Sequence, residues 1–225
     1  MASVLSVNLA VERPIAAKQG TSGIDKRPTA EAVRVRAPGP KGRGGSGLVG
    51  DHISDTANHG GDDQAVYAYA REDLDGWARE LGRELTNGNF GENLTTLGVD
   101  VSGAVVGEVW TLRSPGPTGV DDEVVLQVSC PRIPCGTFAV FLGEKRWVPR
   151  FSAARTPGAY LRVLSGGTLR AGADIEVGPP PAHGVSIATA FAALTTEPGL
   201  LPRLAEVEEL PAADLADIRA ALARR

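Results

Sequence analysis

Turn-forming residues place the strongest limit on the fold of this chain. Its 225 residues include 28 Gly and 16 Pro, without the period of three that a collagen helix needs. Both residue types interrupt helices, so a bundle of long helices is excluded. Because 42% of the residues are hydrophobic, the chain still has enough apolar side chains for a core. These features together predict a globular chain of short elements joined by many turns.

Short segments with strand character lie between these turns over the first 180 residues. Residues 32–36 alternate as a half-buried strand does. Further candidate strands lie at residues 3–9, 65–70, 103–112, 123–129, 160–164 and 175–177. About eight such strands predict a mainly β fold, a barrel or a sandwich.

Two segments in this region depart from the strand pattern. Apolar residues from Leu74 to Leu81 have the spacing of one helix face, and Gly82 marks the end of that helix. Residues 130–135 (CPRIPC) are too rich in proline for a helix or a central strand. We therefore predict one helix and one irregular segment within the β region.

The composition changes after Pro181, where Ala and Leu replace aromatic residues and glycine. Helices are predicted at residues 185–194, 200–207 and 211–223, the last opening at a proline. We therefore predict a β domain over residues 1–180 and a C-terminal helical extension over residues 181–225. The extension is expected to pack on the barrel or to form contacts in a homodimer.

Charge and cysteine content narrow the partners and the compartment. The net charge is −4, which gives no electrostatic reason to expect nucleic-acid binding. The two cysteines do not form a disulfide framework and are typical of free thiols in a reducing compartment. The first 14 residues lack a basic signal-peptide region, and the longest uncharged run contains three prolines. We expect a cytoplasmic protein without a membrane partner.

A glycine motif and a histidine cluster suggest chemistry but lack a specific signature. Residues 45–50 match GxGxxG, yet no helical period follows them, so a dinucleotide site is not predicted. His52, Asp55 and His59 are residue types that can hold Zn or Fe in a hydrolase. The alternative for these three residues is a solvated loop with local Asp and Asn turns.

Cys135 is the candidate reactive residue. Pro134 precedes it, and Arg132 lies close enough in sequence to favour a thiolate. A thiolate serves as a nucleophile or as a ligand to a soft metal. The alternative is an inert buried thiol. Cys130, at the end of an apolar strand, fits that alternative better.

Five segments in order resemble the MOSC domain, the family named after the C-terminal domain of molybdenum cofactor sulfurase. They are residues 21–28 (TSGIDKRP), residues 50–51 with Asp55, residues 59–61 (HGG) with Asp63, residues 90–94 (FGENL) and residues 131–135 (PRIPC). The chain is most similar to the stand-alone YiiM-like branch. The resemblance implies a β-rich, barrel-like fold.

The resemblance also implies a cofactor and an activity. The cofactor is a molybdenum pyranopterin that carries a phosphate, and Cys135 matches the cysteine that binds molybdenum. The implied activity is reduction of N-hydroxylated compounds, a small-molecule substrate of the hydroxylamine or amidoxime type. Electrons are expected from a separate flavin or iron–sulfur protein. His59 or Asp55 would supply protons.

Further residues are expected to hold the cofactor. Positive side chains suit its phosphate, and backbone N–H groups and amides suit its oxygens and the pterin. These residues are Lys26, Arg27, His59, Gly60, Gly61, Glu92, Asn93, Arg132 and Cys135.

The chain departs from the family pattern at three positions. Gln64 stands where relatives usually carry Lys or Arg, Gly136 where a bulkier residue is common, and Cys130 where Gln is frequent. An alternative function shares the site: a carrier of the cofactor, or a sulfur-transfer module, without turnover. Nothing resembles the pyridoxal-phosphate-dependent half of the sulfurase, so the chain is not expected to generate sulfur.

Overall fold

The computed structural model describes residues 1–16, 20–116 and 121–224. In these residues the strands are short and are distributed along the first 177 positions. They are β1 (Ser3–Ala10), β2 (Arg13–Pro14), β3 (Thr21–Ser22), β4 (Lys26–Thr29), β5 (Val33–Val35), β6 (Val66–Ala70), β7 (Leu94–Leu97), β8 (Val109–Ser114), β9 (Asp122–Pro131), β10 (Ala159–Ser165), β11 (Gly167–Leu169) and β12 (Asp174–Val177).

Seven of these strands form a closed barrel. Its order is β12, β8, β9, β10, β6, β7 and β1, and a pairing of Ser3 with Asp174 joins β1 to β12. Neighbours are antiparallel except β6 and β7, which run parallel. Closure removes unpaired strand edges, which otherwise promote aggregation. The prediction of a mainly β, barrel-like fold is confirmed.

The barrel core is a cluster of buried side chains, almost all aliphatic, inside this ring. Trp110 is its single aromatic member among the described residues, and its indole N–H donates to Glu108 Oε1 at 2.8 Å. Fully buried members from the barrel strands include Val4, Val7, Ala68, Leu94, Leu112, Val124, Leu126, Val128 and Leu161.

The helices lie between and after the strands. They are α1 (Arg71–Leu81), α2 (Gly136–Leu142), α3 (Trp147–Ala154), α4 (Ile187–Thr195), α5 (Leu201–Leu204) and α6 (Ala212–Ala223), with short 3₁₀ helices at Asp62–Gln64 and Pro198–Leu200. Helix α1 connects the parallel strands β6 and β7. It ends as predicted at Gly82, whose φ of 66° is left-handed.

The segment from Cys130 to Ala154 differs from the sequence prediction. Cys130 and Pro131 belong to β9, a barrel strand, and pair with Tyr160 and Ala159 of β10. Pro131 is the last residue of the strand, where a missing N–H is tolerated. Helices α2 and α3 then follow, although Gly136, Gly143 and Pro149 conceal a helical period.

The C-terminal extension is helical, as predicted, and its first helices pack on the barrel. The side chain of Ser186 caps α4 by accepting from the Thr189 N–H at 3.2 Å. Ile187, Ala190 and Leu204 belong to the barrel core. In the described part of the chain, no helix is both long and apolar enough to cross a bilayer.

Candidate functional site

A cleft of about 110 Å³ lies where loop segments meet beside the barrel. The lining comes from residues 21–24 and 26, residues 52–55, 59 and 60, residues 91 and 93, and residues 132, 135 and 137, together with Gln64, Tyr67 and Tyr160. The predicted site residues that line it are Lys26, His52, Asp55, His59, Gly60, Asn93, Arg132 and Cys135. Arg27, Gly61 and Glu92 do not. Most of the residues singled out from sequence therefore face one cavity.

Cys135 is held at the start of α2 with its thiol in the cleft. Strand β9 ends at Pro131, and the next residues carry the chain to Cys135, the N-cap of α2. Burial alone raises the pKa of this thiol. A hydrogen bond from His59, the charge of Arg132 and the N–H of Phe138 outweigh burial and lower the pKa to about 6. Cys135 is therefore a thiolate at neutral pH.

Cys130, five residues earlier, has the opposite environment. It is buried and paired within β9, and burial raises the pKa of its thiol to about 12. This thiol stays protonated at neutral pH. The two cysteines therefore differ in chemistry despite their proximity in sequence.

Arg132 brings a buried positive charge to the cleft. Only 6% of the residue is exposed. Its guanidinium lies over the Phe138 ring, 3.7 Å from the centroid, and 5.5 Å from that of Tyr67. The ionisable groups that act most on its charge are Tyr67, Tyr160 and Cys135, none of them a carboxylate. Within the described residues its Nη1 has no hydrogen-bond partner.

These rings belong to a second hydrophobic cluster, which we call the aromatic cluster. Its fully or nearly fully buried aromatic members are Tyr67, Tyr69, Trp77, Phe90, Phe138, Trp147, Phe151 and Phe191. Cys135 and Tyr160 pack against it. Cation–π contact with such rings partly offsets the loss of hydration of a buried guanidinium. The aromatic cluster thus supports the charge of Arg132 without an acidic partner.

Lys26 also lines the cleft, but its charge is paired. Its Nζ lies 2.6 Å from both carboxylate oxygens of Asp51. Asp51 also accepts from the Ala10 N–H and from Asn93 Nδ2, each at 2.8 Å. Burial raises the pKa of Asp51, but Lys26 and these hydrogen bonds lower it overall. One N–H of the Lys26 ammonium remains for a ligand.

Arg27 lies outside the cleft. Its guanidinium donates to Asp25 Oδ2 at 3.0 Å, and 60% of its side chain is exposed. Strand β4 explains the difference, since successive side chains of a strand point to opposite faces. Lys26 faces inward and Arg27 faces solvent.

Glu92 and Asn93 use their polar atoms inside the protein. The Glu92 carboxylate accepts from the N–H groups of Gly88 and Phe90 and from the Thr95 hydroxyl. Asn93 accepts from the Tyr67 N–H through Oδ1 and donates to Asp51 through Nδ2. These bonds fix the loop that borders the cleft, a bracing role that sequence reasoning did not assign to them.

Gly61, which was expected to hold the cofactor, and Gly88 mainly permit loops to pack. A Cβ at Gly61 would lie 2.6 Å from the Lys41 backbone, and one at Gly88 would lie 2.3 Å from the Lys26 carbonyl oxygen. Both have positive φ, and their N–H groups donate within the protein. Gly60 lines the cleft, whereas Gly61 and Gly88 serve the fold.

His52, Asp55 and His59 lie along the cleft without forming a metal cluster. His59 hydrogen bonds to Cys135, whereas His52 Nε2 contacts Ser54 at 3.2 Å. Asp55 accepts from Asn58 at 3.0 Å. In the ranges that the structure covers, no group of three or more His, Cys, Asp and Glu is close enough to hold a metal ion. The predicted Zn or Fe arrangement is therefore not found there.

Sequence reasoning missed two contributors to the cleft. Tyr160 on β10 lines the cleft and interacts with Arg132, and burial raises its pKa to about 12. Gln64 was noted only as a departure, yet its Oε1 is buried without a partner among the described residues. The alternation of residues 159–165 signals a strand but does not show which face meets a cleft.

A family model and a curated relative match most of the chain. The model described as MOSC domain matches residues 55–176. Protein YflK of Bacillus subtilis is 36% identical over 187 residues, which cover 82% of this chain and 77% of that protein. A fungal protein named reductase, from Gibberella moniliformis, is 27% identical over 190 residues, 83% of this chain but 32% of its own length.

A solved structure shares the fold. The crystal structure of YiiM from Geobacillus stearothermophilus superposes with a TM-score of 0.74. The alignment covers 98% of each chain at 24% sequence identity. At that identity the likeness concerns the fold, which agrees with the closed barrel described above.

Proposed function

This chain belongs to the MOSC domain family, and from this premise we propose that its cleft binds a molybdenum–pyranopterin cofactor and reduces N-hydroxylated compounds. The substrates are of the hydroxylamine or amidoxime type, and a separate flavin or iron–sulfur protein supplies the electrons. One observation carries the proposal: a thiolate, Cys135, is presented in a cleft beside a buried guanidinium without a carboxylate partner.

Several residues of the cleft suit the molybdenum of the proposed cofactor. A thiolate is a soft ligand and suits molybdenum with sulfur ligands. Arg132 and His59 both favour the ionised form of Cys135. The unpartnered Nη1 of Arg132 is a polar atom that a bound group would satisfy. Cys135 is thus the proposed protein ligand to the metal.

The residues also suit the phosphate, although less completely than the sequence suggested. Arg27 faces solvent, and Asp51 already pairs with Lys26. The remaining N–H of Lys26 and the hydroxyls of Thr21 and Ser22, which also line the cleft, are the proposed phosphate contacts. An ammonium that keeps one donor free still acts on an anion as a point charge.

The reaction needs protons as well as electrons. Reduction of R–NH–OH to R–NH₂ and water consumes two electrons and two protons, and the bound cofactor supplies the redox chemistry. His59, which touches Cys135 and is partly exposed, is placed to pass protons from solvent to the substrate. Asp55 lines the same cleft and is the second proposed proton carrier.

The fungal relative adds support of a general kind. That protein is named reductase, and the match reaches 83% of this chain. Since the matched part is 32% of that relative, its activity also depends on sequence outside the match. It supports reduction as the reaction class and leaves the substrate to experiment.

The test is to produce the protein in a host that makes the cofactor, and to measure molybdenum and pterin per chain. We expect near-stoichiometric amounts of both in the wild type and in Cys130→Ser. We expect Cys135→Ser to lose most of the molybdenum, because a hydroxyl is a hard, protonated replacement for a soft thiolate. Turnover of benzamidoxime with chemically reduced methyl viologen then tests the activity.

The outcomes separate the proposal from its rivals. A wild type without molybdenum and pterin would contradict the cofactor assignment. A protein that holds both but reduces no N-hydroxylated compound, and transfers the cofactor to an apoenzyme, would be a carrier instead. Full metal content in Cys135→Ser would show that another residue binds the metal.

A further inference from the structure

Two buried, unpartnered polar atoms of opposite character belong to residues that line the cleft. Arg132 Nη1 is a donor, and Gln64 Oε1 is an acceptor. The described residues contain two other such atoms, on Trp147 and His183, and neither residue lines the cleft. Leaving a buried polar atom without a partner is unfavourable, so a cleft with both kinds points to a ligand with a matching acceptor and donor.

The fold holds the segment that carries Gln64 in place by several contacts. Gln64 ends the 3₁₀ helix Asp62–Gln64. The Ser129 hydroxyl on β9 lies within hydrogen-bond distance of the Asp63 carbonyl oxygen and of the Tyr160 carbonyl oxygen of β10, and donates its one proton to either of them. Arg162 of β10 pairs with the Asp63 carboxylate. The 3₁₀ helix is thereby fixed to the two strands whose ends carry Arg132 and Tyr160.

Arg132 is equally fixed, and it lies at the Cys135 end of the cleft. Its guanidinium stacks on Phe138, the third residue of the helix that Cys135 caps. Any substrate that reacts at a metal held by Cys135 must bring its reacting atoms to this end. Arg132 therefore meets the reacting N–O unit rather than remote parts of the substrate.

We propose that Arg132 and Gln64 form the substrate-binding pair for the N–OH unit, with Arg132 donating to the hydroxyl oxygen and Gln64 accepting from the N–H on the reacting nitrogen. The inference rests on the proposed function and deepens it by naming a substrate class. That class is N-hydroxylated compounds that keep a hydrogen on the reacting nitrogen, namely monosubstituted hydroxylamines. The neutral Gln64 supplies an acceptor, which a Lys or Arg side chain at this position does not.

The experiment uses two matched substrates, N-benzylhydroxylamine and N-benzyl-N-methylhydroxylamine, which differ only in the N–H. Holoprotein is driven by reduced methyl viologen, and KM and kcat are measured for wild type and Gln64→Met. Methionine has a similar length but lacks the amide acceptor. We expect the KM for N-benzylhydroxylamine to rise about three- to tenfold and the KM for the methylated compound to stay the same.

Arg132→Lys gives the complementary pattern. Lysine keeps the charge but loses the planar set of donors, and both substrates contain the oxygen that Arg132 would contact. We therefore expect KM to rise for both compounds by a similar factor. Molybdenum and pterin are measured for each variant: the content of Gln64→Met should equal that of the wild type, and the KM of Arg132→Lys is compared on its cofactor-loaded fraction. Circular dichroism on the same samples checks that each variant is folded.

Other results would overturn the inference and leave the proposed function in place. Loss of pterin in Gln64→Met would make Gln64 a cofactor contact. An equal rise in KM for both substrates in Gln64→Met would show that Gln64 does not bind the N–H. If the wild type reduces neither compound, the proposed function fails instead. Calorimetric titration of both compounds then still shows whether Gln64→Met weakens only the one with the N–H.

Discussion

The barrel core and the aromatic cluster are built from different side chains. The chain has five Phe, three Trp and three Tyr, and all of them except Trp110 pack in the aromatic cluster or against it. The barrel core is otherwise aliphatic. Aliphatic side chains fill a ring of strands at high density, whereas rings also present a negative face to a cation. The first cluster holds the barrel together, and the second also supports the charged cleft.

The largest expected difference between the two regions is the reactivity of their cysteines. Cys135 packs against the aromatic cluster with a pKa of about 6, and Cys130 lies in barrel strand β9 with a pKa of about 12. At pH 7 the thiolate populations then differ on the order of 10⁵-fold. Iodoacetamide should modify Cys135 of the cofactor-free protein and leave Cys130 unmodified, as read by peptide mass spectrometry.

The rate of Cys135 alkylation should depend on pH in a direction set by its lowered pKa. The Cys135 pKa lies below that of an ordinary thiol, so its alkylation should be half-maximal near pH 6 and fall as the pH drops further. An ordinary thiol reaches half-maximal rate only near pH 8.5. Cys130 modification at a rate comparable to Cys135, in folded protein, would contradict the distinction.

The next largest effect is on stability, through the aromatic residue of the barrel core. Trp110→Ala should lower the free energy of unfolding by about 3–5 kcal/mol, because it leaves a large cavity. It also deprives Glu108 of the indole N–H that its carboxylate accepts. Urea denaturation measures the loss. The alkylation midpoint of Cys135 should stay the same, since Trp110 does not contact the cleft.

The contrast between these regions also shows what the sequence could predict. The patterns of residues 3–9, 65–70 and 74–82 were sufficient to predict two strands and a helix, because each pattern is local. The PRIPC segment led to Cys135 and Arg132 because a thiol, a guanidinium and prolines have intrinsic chemistry. Each of these inferences needed only neighbouring residues.

Long-range contacts account for what the sequence did not show. Helices α2 and α3 lack a clear period, and their stability comes from rings distant in the chain, such as Phe90 against Phe138 at 5.1 Å between centroids. Glu92 and Asn93 were placed in the correct segment, but spacing does not reveal that the partners of their polar atoms are inside the protein. The pairing of Lys26 with Asp51 likewise joins positions 25 residues apart.

A smaller substitution tests whether the aromatic cluster supports Arg132. Phe138→Leu keeps an apolar side chain but removes the ring under the guanidinium, 3.7 Å away. We expect a loss of about 1–3 kcal/mol in stability from packing and cation–π contact. The pKa of Cys135 should rise, because a less ordered Arg132 stabilises the thiolate less. The alkylation midpoint should therefore move to higher pH.

Phe151→Leu is the matched control for this variant. Phe151 belongs to the same cluster and contacts Phe138 at 5.3 Å between centroids. Among the described residues, the rings in cation–π contact with Arg132 are Phe138 and Tyr67. It should cost comparable stability and leave the alkylation midpoint unchanged. Equal shifts in both variants would mean that general loosening of the cluster, and not the ring under Arg132, controls the thiol.

The smallest expected effect is on stability, from substitutions that change the backbone at the two ends of α2 and leave the aromatic side chains intact. Helix α2 carries Phe138 into the cluster and has a glycine at each end. Gly136 has ordinary helical φ and open space around a Cβ, whereas Gly143 has a φ of 68°. Gly136→Ala should raise stability by about 0.5–1 kcal/mol by restricting the unfolded chain. Gly143→Ala should lower it by about 1–2 kcal/mol, because alanine is strained in the left-handed region. Urea denaturation should give changes in the free energy of unfolding that are opposite in sign for the two variants. Since neither change touches a ring, the alkylation midpoint of Cys135 should stay the same in both. Changes of the same sign would show that α2 is held by its side chains alone.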